Sequence, residues 1–259
     1  MNQAQRRLFL IQSLLKEKPE YRDIDIPTEP ESQRQLLRGL MNIRAPQNAD
    51  ADFLKMQDEY LQGETAAKGI IDVDDLTPVQ PGLYLWQGDI TTLKCDVIVN
   101  AANSGMTGCY IPNHRCIDNA IHTFAGVELR LVCAELMEQQ GYPEPSGQAK
   151  ITPAFNLPCR YVLHTVGPII NGRVTVEDKN LLSSCYRSCL ELAAENGLES
   201  VAFCCVSTGE FHFPNEQAAQ IAVETVKQFM NRKTSVKKVI FNVFKDFDKA
   251  IYEKLLRAD

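Results

Sequence analysis

Hydrophobic residues follow two different patterns along the chain, and the pattern changes near residue 80. Before that point, apolar residues recur at helical spacing inside polar stretches. Prolines lie between these stretches and prevent them from joining into one helix. The pattern predicts an N-terminal helical extension over residues 1–80, with helices in three stretches: 3–17, 31–44 and 50–66.

After Trp86, short continuous apolar runs alternate with helical patterns. The runs are rich in Val and Ile, as is typical of strands buried on both faces, and they cover residues 95–102, 160–167, 200–207 and 237–244. Helical patterns cover residues 117–140, 179–196, 214–231 and 247–257. This alternation predicts an α/β layered domain over residues 81–259 with a mixed, mostly parallel sheet. In such a sheet, ligands bind beyond the carboxyl ends of the strands.

Charge and cysteine content narrow the class of protein. The 259 residues carry a net charge of −6 and no evident basic stripe, which argues against binding to nucleic acid. All nine cysteines lie at or after Cys95, and their odd number is typical of reduced, mostly buried thiols. The apolar run near the N-terminus is short and interrupted by Gln12 and Ser13, so we expect no membrane span. We therefore expect a cytoplasmic protein.

The loop after the first apolar run contains a candidate metal site. Cys109, His114 and Cys116 lie within eight residues, just before the helical pattern that starts at residue 117. Thiolate and imidazole are ligands that zinc prefers, and three protein ligands with one open position are the arrangement of catalytic zinc sites. The alternative is two buried cysteines and a surface histidine, and the spacing alone leaves both interpretations open.

Polar residues in other loops are candidates for ligand binding. The sequence STGEF follows an apolar run, and its Gly209 permits close approach of the backbone to an anion ahead of a helix. A plain strand-to-helix turn is the alternative there. Asp89 either accepts a hydrogen bond from a ligand base or caps a turn. Asn100 and Asn103 either bind a polyhydroxy ligand or brace the loop.

Five motifs occur in order along residues 82–258: GDIT, DVIVNAAN, IDNAIHTFAG, GQAKITPAFNLPCRYVLHTVGP and VSTGEFHFPNEQAAQIAVETV. Together they resemble the macrodomain family of ADP-ribose-binding modules, and most closely its MacroD-type branch, which removes ADP-ribose from proteins. Where that branch has a glycine-rich run, this chain has TGCYIPNHRCIDNAIH, which is about five residues longer and contains the three candidate metal ligands. This replacement and the N-terminal extension are similar to the zinc-containing macrodomains of bacteria and fungi.

The resemblance implies a macrodomain-like three-layer α/β/α fold and one Zn²⁺ per chain, held by Cys109, His114 and Cys116. It implies a hydrolase that removes mono-ADP-ribose from protein side chains, Asp or Glu in particular. The implied partners are ADP-ribose and a mono-ADP-ribosylated protein, for example a lipoylated carrier protein modified by a sirtuin-type transferase. No nucleic acid or membrane partner is implied.

The resemblance also implies roles for individual residues. Asn103 would bind the distal ribose, and Asp118 would orient water or accept a proton. Asp89 and the Ile90 amide would hold the adenine, which Phe244 would flank. His212 stands where many relatives have glycine. The full set implied to contact ADP-ribose is Asp89, Ile90, Asn103, Cys116, Ile117, Asp118, Ser207, Thr208, Gly209, Glu210, Phe211 and Phe244.

Glycosyl cleavage passes through an oxocarbenium-like transition state, and the expected zinc would orient the distal ribose or a water near it. Two other interpretations remain open at this point. In the first, the chain binds ADP-ribosylated proteins but does not hydrolyse them. In the second, the zinc is purely structural and a fourth protein ligand completes its coordination, for which Cys95 and His212 are candidates. We expect His122 and His164 to be buried, hydrogen-bonded histidines.

Overall fold

The computed structural model describes residues 1–257, and its N-terminal part consists of three helices. These are α1 (Gln3–Lys16), α2 (Pro30–Ile43) and α3 (Ala51–Lys68). The side chain of Asn2 caps α1 and that of Asp50 caps α3, each by accepting a backbone amide of the first turn. The helices share a small apolar core, and Val127 from the following domain packs into it. The extension is therefore docked on the rest of the chain.

The central sheet has six strands: β2 (Leu83–Gln87), β4 (Val97–Ala101), β5 (Ala149–Pro153), β6 (Tyr161–Thr165), β7 (Ser200–Phe203) and β8 (Lys238–Val243). Their order is β2-β8-β7-β4-β6-β5. Neighbouring strands from β2 to β6 are parallel, whereas β5 is antiparallel to β6. The two-residue strands β1 (Ile71–Asp72) and β3 (Leu93–Lys94) pair separately. The predicted α/β fold with a mixed, mostly parallel sheet is confirmed.

Five further helices follow β4: α4 (Ile117–Ala125), α5 (Val127–Gln140), α6 (Val176–Glu195), α7 (Asn215–Met230) and α8 (Asp246–Arg257). Every residue of β7, and all but one at an end of β4 and of β8, is buried. Strands are buried in this way only when both faces of the sheet are covered, as the predicted three-layer α/β/α arrangement requires.

The prediction of one helix over residues 117–140 is wrong, because Gly126 separates α4 from α5. Gly126 has φ 104°, and a Cβ there would lie 2.6 Å from Nε2 of Gln57 on α3. The carbonyl oxygen of the Gln57 side chain accepts the Val127 amide at 2.8 Å. The helix therefore breaks where α3 docks, at a residue that tolerates positive φ and leaves room for the glutamine.

Four parallel strands, β2, β4, β7 and β8, end at the same edge of the sheet, and the loops that follow them contain the candidate residues. All nine cysteines are free and six are buried, as expected for reduced thiols. No helix within residues 1–257 has the length and apolar character needed to cross a membrane.

Candidate functional site

The three candidate metal ligands meet in the loop between β4 and α4. Their donor atoms all lie within 4.8 Å of one another, and Cys109 Sγ is 3.4 Å from His114 Nδ1. Tetrahedral zinc, with bonds of about 2.3 Å to sulfur and about 2.0 Å to nitrogen, places such ligands roughly 3.5 Å apart. The donor set and spacing therefore fit a zinc ion.

Within residues 1–257, no further His, Cys, Asp or Glu donor joins this group. Cys95, proposed as a fourth ligand, is buried and instead donates to the carbonyls of Leu93 and Val97. His212, the other proposed fourth ligand, also lies outside the group. Three donors leave one coordination position for a ligand or water, as catalytic zinc sites do.

Cys116 is both a metal-ligand candidate and the N-cap of α4. Its Sγ accepts the Asn119 amide at 3.4 Å, and burial together with the neighbouring Cys109 raises the pKa of the thiol. A thiol must lose its proton to ligate a metal ion. Metal binding at this site would therefore release protons.

The STGEF loop reaches the metal-ligand group through Glu210. Oε1 of Glu210 is 3.5 Å from His114 Nε2, the ring nitrogen that points away from Cys109. A carboxylate facing the outer nitrogen of a ligating histidine orients its ring. Two loops that are distant in sequence thus meet at one histidine.

Asp118 is a buried carboxylate held by two asparagines. Asn100 Nδ2 donates to one oxygen at 2.8 Å, and Asn103 Nδ2 donates to the other at 3.2 Å. Burial raises the pKa of Asp118 to about 6, although the asparagine hydrogen bonds oppose the shift. A carboxyl with a pKa near the working pH is suited to acid–base chemistry. Asn103 also donates to the Gly108 carbonyl at 3.1 Å, so it joins Asp118 to the start of the metal loop.

Behind Asp118 lie two buried histidines with different surroundings. His164 contacts Asn100 Nδ2 at 3.2 Å and Thr152 Oγ1 at 2.9 Å, and burial lowers its pKa to about 3. Its prediction as a buried, hydrogen-bonded histidine is confirmed. For His122 the prediction is wrong in part: the ring is buried, but neither nitrogen has a hydrogen-bond partner within residues 1–257. Its Nε2 is 3.6 Å from Asp118, and a neighbouring cavity of about 10 Å³ has room for about one water.

Two strained residues shape the loop after β7. Ser207 has φ 66° and His212 has φ 57°, a left-handed conformation that is uncommon outside glycine. The Ser207 carbonyl accepts the Phe213 amide at 2.9 Å, and the Gly209 carbonyl accepts the His212 amide at 3.0 Å. Among residues 1–257, no atom outside the immediate chain neighbours of Gly209 lies within 4 Å of where its Cβ would be, so this part of the loop has room for a ligand.

The other side chains of this loop have clear positions. Ser207 Oγ is buried and has no hydrogen-bond partner in the described part of the chain, and Thr208 Oγ1 donates to the Cys205 carbonyl at 3.0 Å. Phe211 packs partly buried against the core, and its carbonyl accepts the Ile170 amide at 2.9 Å.

Asp89 caps a short turn (Ile90–Thr92) after β2, as the alternative interpretation predicted. Its carboxylate accepts the amide and hydroxyl of Thr91 at 3.0 and 2.6 Å, and Lys68 Nζ at 3.0 Å. Burial raises the pKa of Asp89, but the Thr91 hydrogen bonds and the Lys68 charge outweigh it and lower the pKa. Each carboxylate oxygen has more than one acceptor position, so capping does not prevent a further bond to a ligand.

The remaining candidates differ in exposure. The Ile90 side chain is buried in the core, so its backbone is the part available to a ligand. Ile117 begins α4 and is partly buried. Phe244 follows β8 and is 75% exposed, and its carbonyl accepts Gln87 Nε2 at 3.3 Å.

Sequence reasoning missed the residues of other elements that hold the loops. Lys68 at the end of α3 contacts Asp89 and also lies 3.4 Å from the centre of the Phe124 ring. Arg38 on α2 and Arg130 on α5 bind backbone carbonyls on or next to the metal loop. No local signal marks these residues, because their partners are far away in sequence.

A family model described as Macro domain matches residues 99–222. A protein from Treponema medium, named Protein-ADP-ribose hydrolase, is 57% identical over 99% of this chain and 100% of its own length. A protein of the same name from Staphylococcus aureus strain MSSA476 is 46% identical over 97% of this chain and 95% of its own.

Solved structures of macrodomains are also similar to this chain. An Oceanobacillus iheyensis macrodomain mutant with ADPR has a TM-score of 0.64 at 37% identity, covering 70% of this chain and 96% of that chain. A Trypanosoma brucei macrodomain in complex with ADP has a TM-score of 0.66 at 30% identity, covering 85% and 96%.

Proposed function

The chain belongs to the macro domain family, and on that premise we propose that it hydrolyses the bond between ADP-ribose and a modified protein side chain. Relatives named Protein-ADP-ribose hydrolase that span almost the whole chain support this activity. The observation that carries the proposal is a buried carboxylate, Asp118, joined through Asn103 to a loop with three zinc-type donors. Those donors support assignment to the zinc-containing, MacroD-type branch.

The substrate is proposed to lie along the carboxyl edge of the sheet. Asp89 accepts the adenine amine beside the Ile90 amide, and Phe244 flanks the base. The open backbone from Ser207 to Phe211 holds the diphosphate, since free amides bind anions well. Asn103 Oδ1 already accepts the Gly105 amide at 2.9 Å and has a second lone pair for a hydroxyl of the distal ribose.

The chemistry is proposed to occur at the distal ribose, next to Cys116, Ile117 and Asp118. A zinc ion bound by Cys109, His114 and Cys116 would supply Lewis-acid polarisation of a sugar hydroxyl or a water. Asp118 exchanges a proton with water or with the leaving group, and its pKa of about 6 suits that role. Asn100 and Asn103 fix the carboxylate, so that it faces the oxocarbenium-like transition state in one orientation.

Further details rest on the resemblance. The linkage is proposed to be to Asp or Glu, and the modified protein to be a lipoylated carrier in the cytoplasm, where nine free cysteines stay reduced. Residues 1–80 form the proposed extension and residues 81–259 the proposed catalytic domain.

The test is release of ADP-ribose from a peptide that is mono-ADP-ribosylated on a carboxylate. The full chain is assayed with zinc, and with a chelator followed by re-addition of zinc. We expect release that the chelator abolishes and zinc restores, and little release from an arginine-linked peptide. Tight binding of ADP-ribose without release would instead identify a reader module.

A further inference from the structure

We propose that α2 of the N-terminal extension holds the metal loop, residues 108–116, in its ligand geometry, with Arg38 as the positioning residue. The inference deepens the proposed function and rests on it for the identity of the metal. In this proposal the extension supplies no metal ligand, but it orients the loop that contains the ligands.

Arg38 contacts both flanks of the ligand group. Its Nη2 donates to the carbonyl of His114 at 3.1 Å, and Nε and Nη2 donate to Asn119 Oδ1 at 3.2 and 2.8 Å. The Asn119 amide in turn donates to Cys116 Sγ at 3.4 Å. One guanidinium therefore holds the backbone at His114 directly, and it holds Asn119, whose backbone amide contacts the second cysteine. Its rigid fork limits the freedom of both positions.

Asn119 also binds the middle of the loop. Its Nδ2 donates to the Ile111 carbonyl at 3.1 Å, between the first cysteine and the histidine. The Oδ1 bound by Arg38 and the Nδ2 belong to one planar amide. Arg38 therefore sets the orientation of the group that braces the middle of the loop.

Asn42, one turn after Arg38 on α2, forms a second attachment. Its Oδ1 accepts the Asn113 amide at 2.9 Å, and its Nδ2 donates to Thr123 Oγ1 of α4 at 3.0 Å. Asn113 precedes the ligand His114 and has φ 57°. A non-glycine residue keeps that conformation when its surroundings enforce it.

Gly39 lies between these two attachments and allows α2 to approach the loop. A Cβ at Gly39 would be 3.4 Å from Asn113 Nδ2 and 3.7 Å from Pro112 Cβ. The helix backbone thus faces the loop at this point without an intervening side chain.

Arg130 of α5 binds both the end of α2 and Thr107, the residue just before the loop. Its Nη1 donates to the carbonyls of Met41, Asn42 and Arg44 at 3.3, 2.6 and 2.6 Å. Its Nε donates to the Thr107 carbonyl at 2.8 Å. A cation at the last carbonyls of a helix satisfies acceptors that lack intrahelical partners. The same buried side chain therefore binds the end of α2 and Thr107, the residue immediately before the loop.

Residues 108–116 contain no helix or strand, so the geometry of the ligands depends on these outside contacts. A loop that must be ordered when it binds its metal binds more weakly than one that is already ordered. Loss of a residue that orients a ligand typically costs 10–100-fold in metal affinity. We expect that range for loss of the Arg38 fork.

The test compares Arg38→Ala and Arg38→Lys with Arg34→Ala in the full chain. Arg34 lies one turn earlier on α2 and pairs with Glu64 and Glu31, away from the loop. Zinc affinity is measured by competition with a chromophoric chelator. We expect Arg38→Ala to bind zinc about 10–100-fold more weakly, Arg38→Lys to lie between it and wild type, and Arg34→Ala to match wild type. Equal affinities for Arg38→Ala and Arg34→Ala would overturn the inference.

A second readout needs no metal and no turnover. Amide hydrogen exchange in residues 109–116 of the metal-free proteins should be faster in Arg38→Ala than in Arg34→Ala, whereas exchange in the central strands stays the same. Equal exchange in the loop refutes the positioning role, whatever the zinc content. The zinc content of the wild-type protein separately decides the identity of the metal.

Discussion

Gly167, just after β6, is expected to control the shape of the proposed diphosphate loop. A Cβ at this position would lie 1.9 Å from Ser207 Oγ and 3.0 Å from Val206 Cγ1. Gly167→Ala must therefore displace Ser207, and overpacking of this kind costs about 1–3 kcal/mol. If that cost falls on the binding conformation of the loop, the Kd for ADP-ribose rises about 5- to 150-fold. Isothermal titration calorimetry measures the change, with circular dichroism as the check on folding.

A compensating substitution tests the mechanism of that effect. Ser207→Gly removes the clashing oxygen and suits the φ of 66°. The double variant Gly167→Ala/Ser207→Gly should therefore recover part of the affinity, limited by the remaining contact to Val206 at 3.0 Å. An unchanged Kd for ADP-ribose in Gly167→Ala would refute this explanation. A double variant that binds ADP-ribose no more tightly than Gly167→Ala would refute it as well.

Three further predictions concern the carboxylates and a histidine. Asp118→Asn keeps the shape of the side chain but removes its proton chemistry, so single-turnover hydrolysis should fall about 10²–10⁴-fold; hydrolysis at the wild-type rate would exclude that role. Asp89→Ala removes the proposed hydrogen bond to adenine, and a hydrogen bond to a charged group contributes about 1.5–3 kcal/mol, so the Kd for ADP-ribose should rise roughly 10- to 150-fold; an equal Kd rejects the assignment. His164 has a pKa of about 3 when folded, against about 6.5 unfolded, so the unfolded state alone takes up a proton as the pH falls below 6.5. In urea unfolding of metal-free protein, the wild type should lose about 2 kcal/mol more than His164→Asn between pH 7.5 and 5. Burial also lowers the pKa of His122, which adds its own loss to both proteins; equal losses in the two proteins would contradict the prediction.

The strands could be predicted because parallel strands buried on both faces have continuous apolar sequences. β4, β7 and β8 lie inside the predicted runs. The antiparallel strand β5 was not predicted, since its burial is incomplete and its sequence has no continuous apolar run. The break at Gly126 was missed because helical periodicity on both sides hides it, and its cause is Gln57 in another helix.

Residue types at the ends of strands identified the candidate site, because parallel strands bring their carboxyl ends to one edge. Cys109, His114 and Cys116 could be predicted because they are residue types that zinc prefers and they lie in one loop after a strand. The structure brings their donor atoms together. The contacts of Arg38 and Arg130 could not be predicted in this way. Arg38 binds residues 76 and 81 positions away, and Arg130 binds residues near the end of α2 that are 86 to 89 positions away. Only the docking of α2 creates these contacts.

Local sequence also cannot separate two buried histidines. His164 lies on β6 opposite Thr152 of β5, which supplies a hydroxyl at 2.9 Å. His122 lies on α4 against Gly108, where a Cβ would be 2.8 Å from the ring, and neither of its nitrogens has a hydrogen-bond partner within residues 1–257. The difference arises from the packing of the neighbouring elements.

The central claim is that three side chains hold a catalytic zinc next to the distal ribose. Crystals of the full chain grown with zinc and ADP-ribose, measured at the zinc absorption edge, test it most directly. The account predicts one anomalous peak bonded to Cys109 Sγ, His114 Nδ1 and Cys116 Sγ, with a ribose or water oxygen as the fourth ligand. The absence of such a peak, or a fourth ligand from the protein, would contradict it.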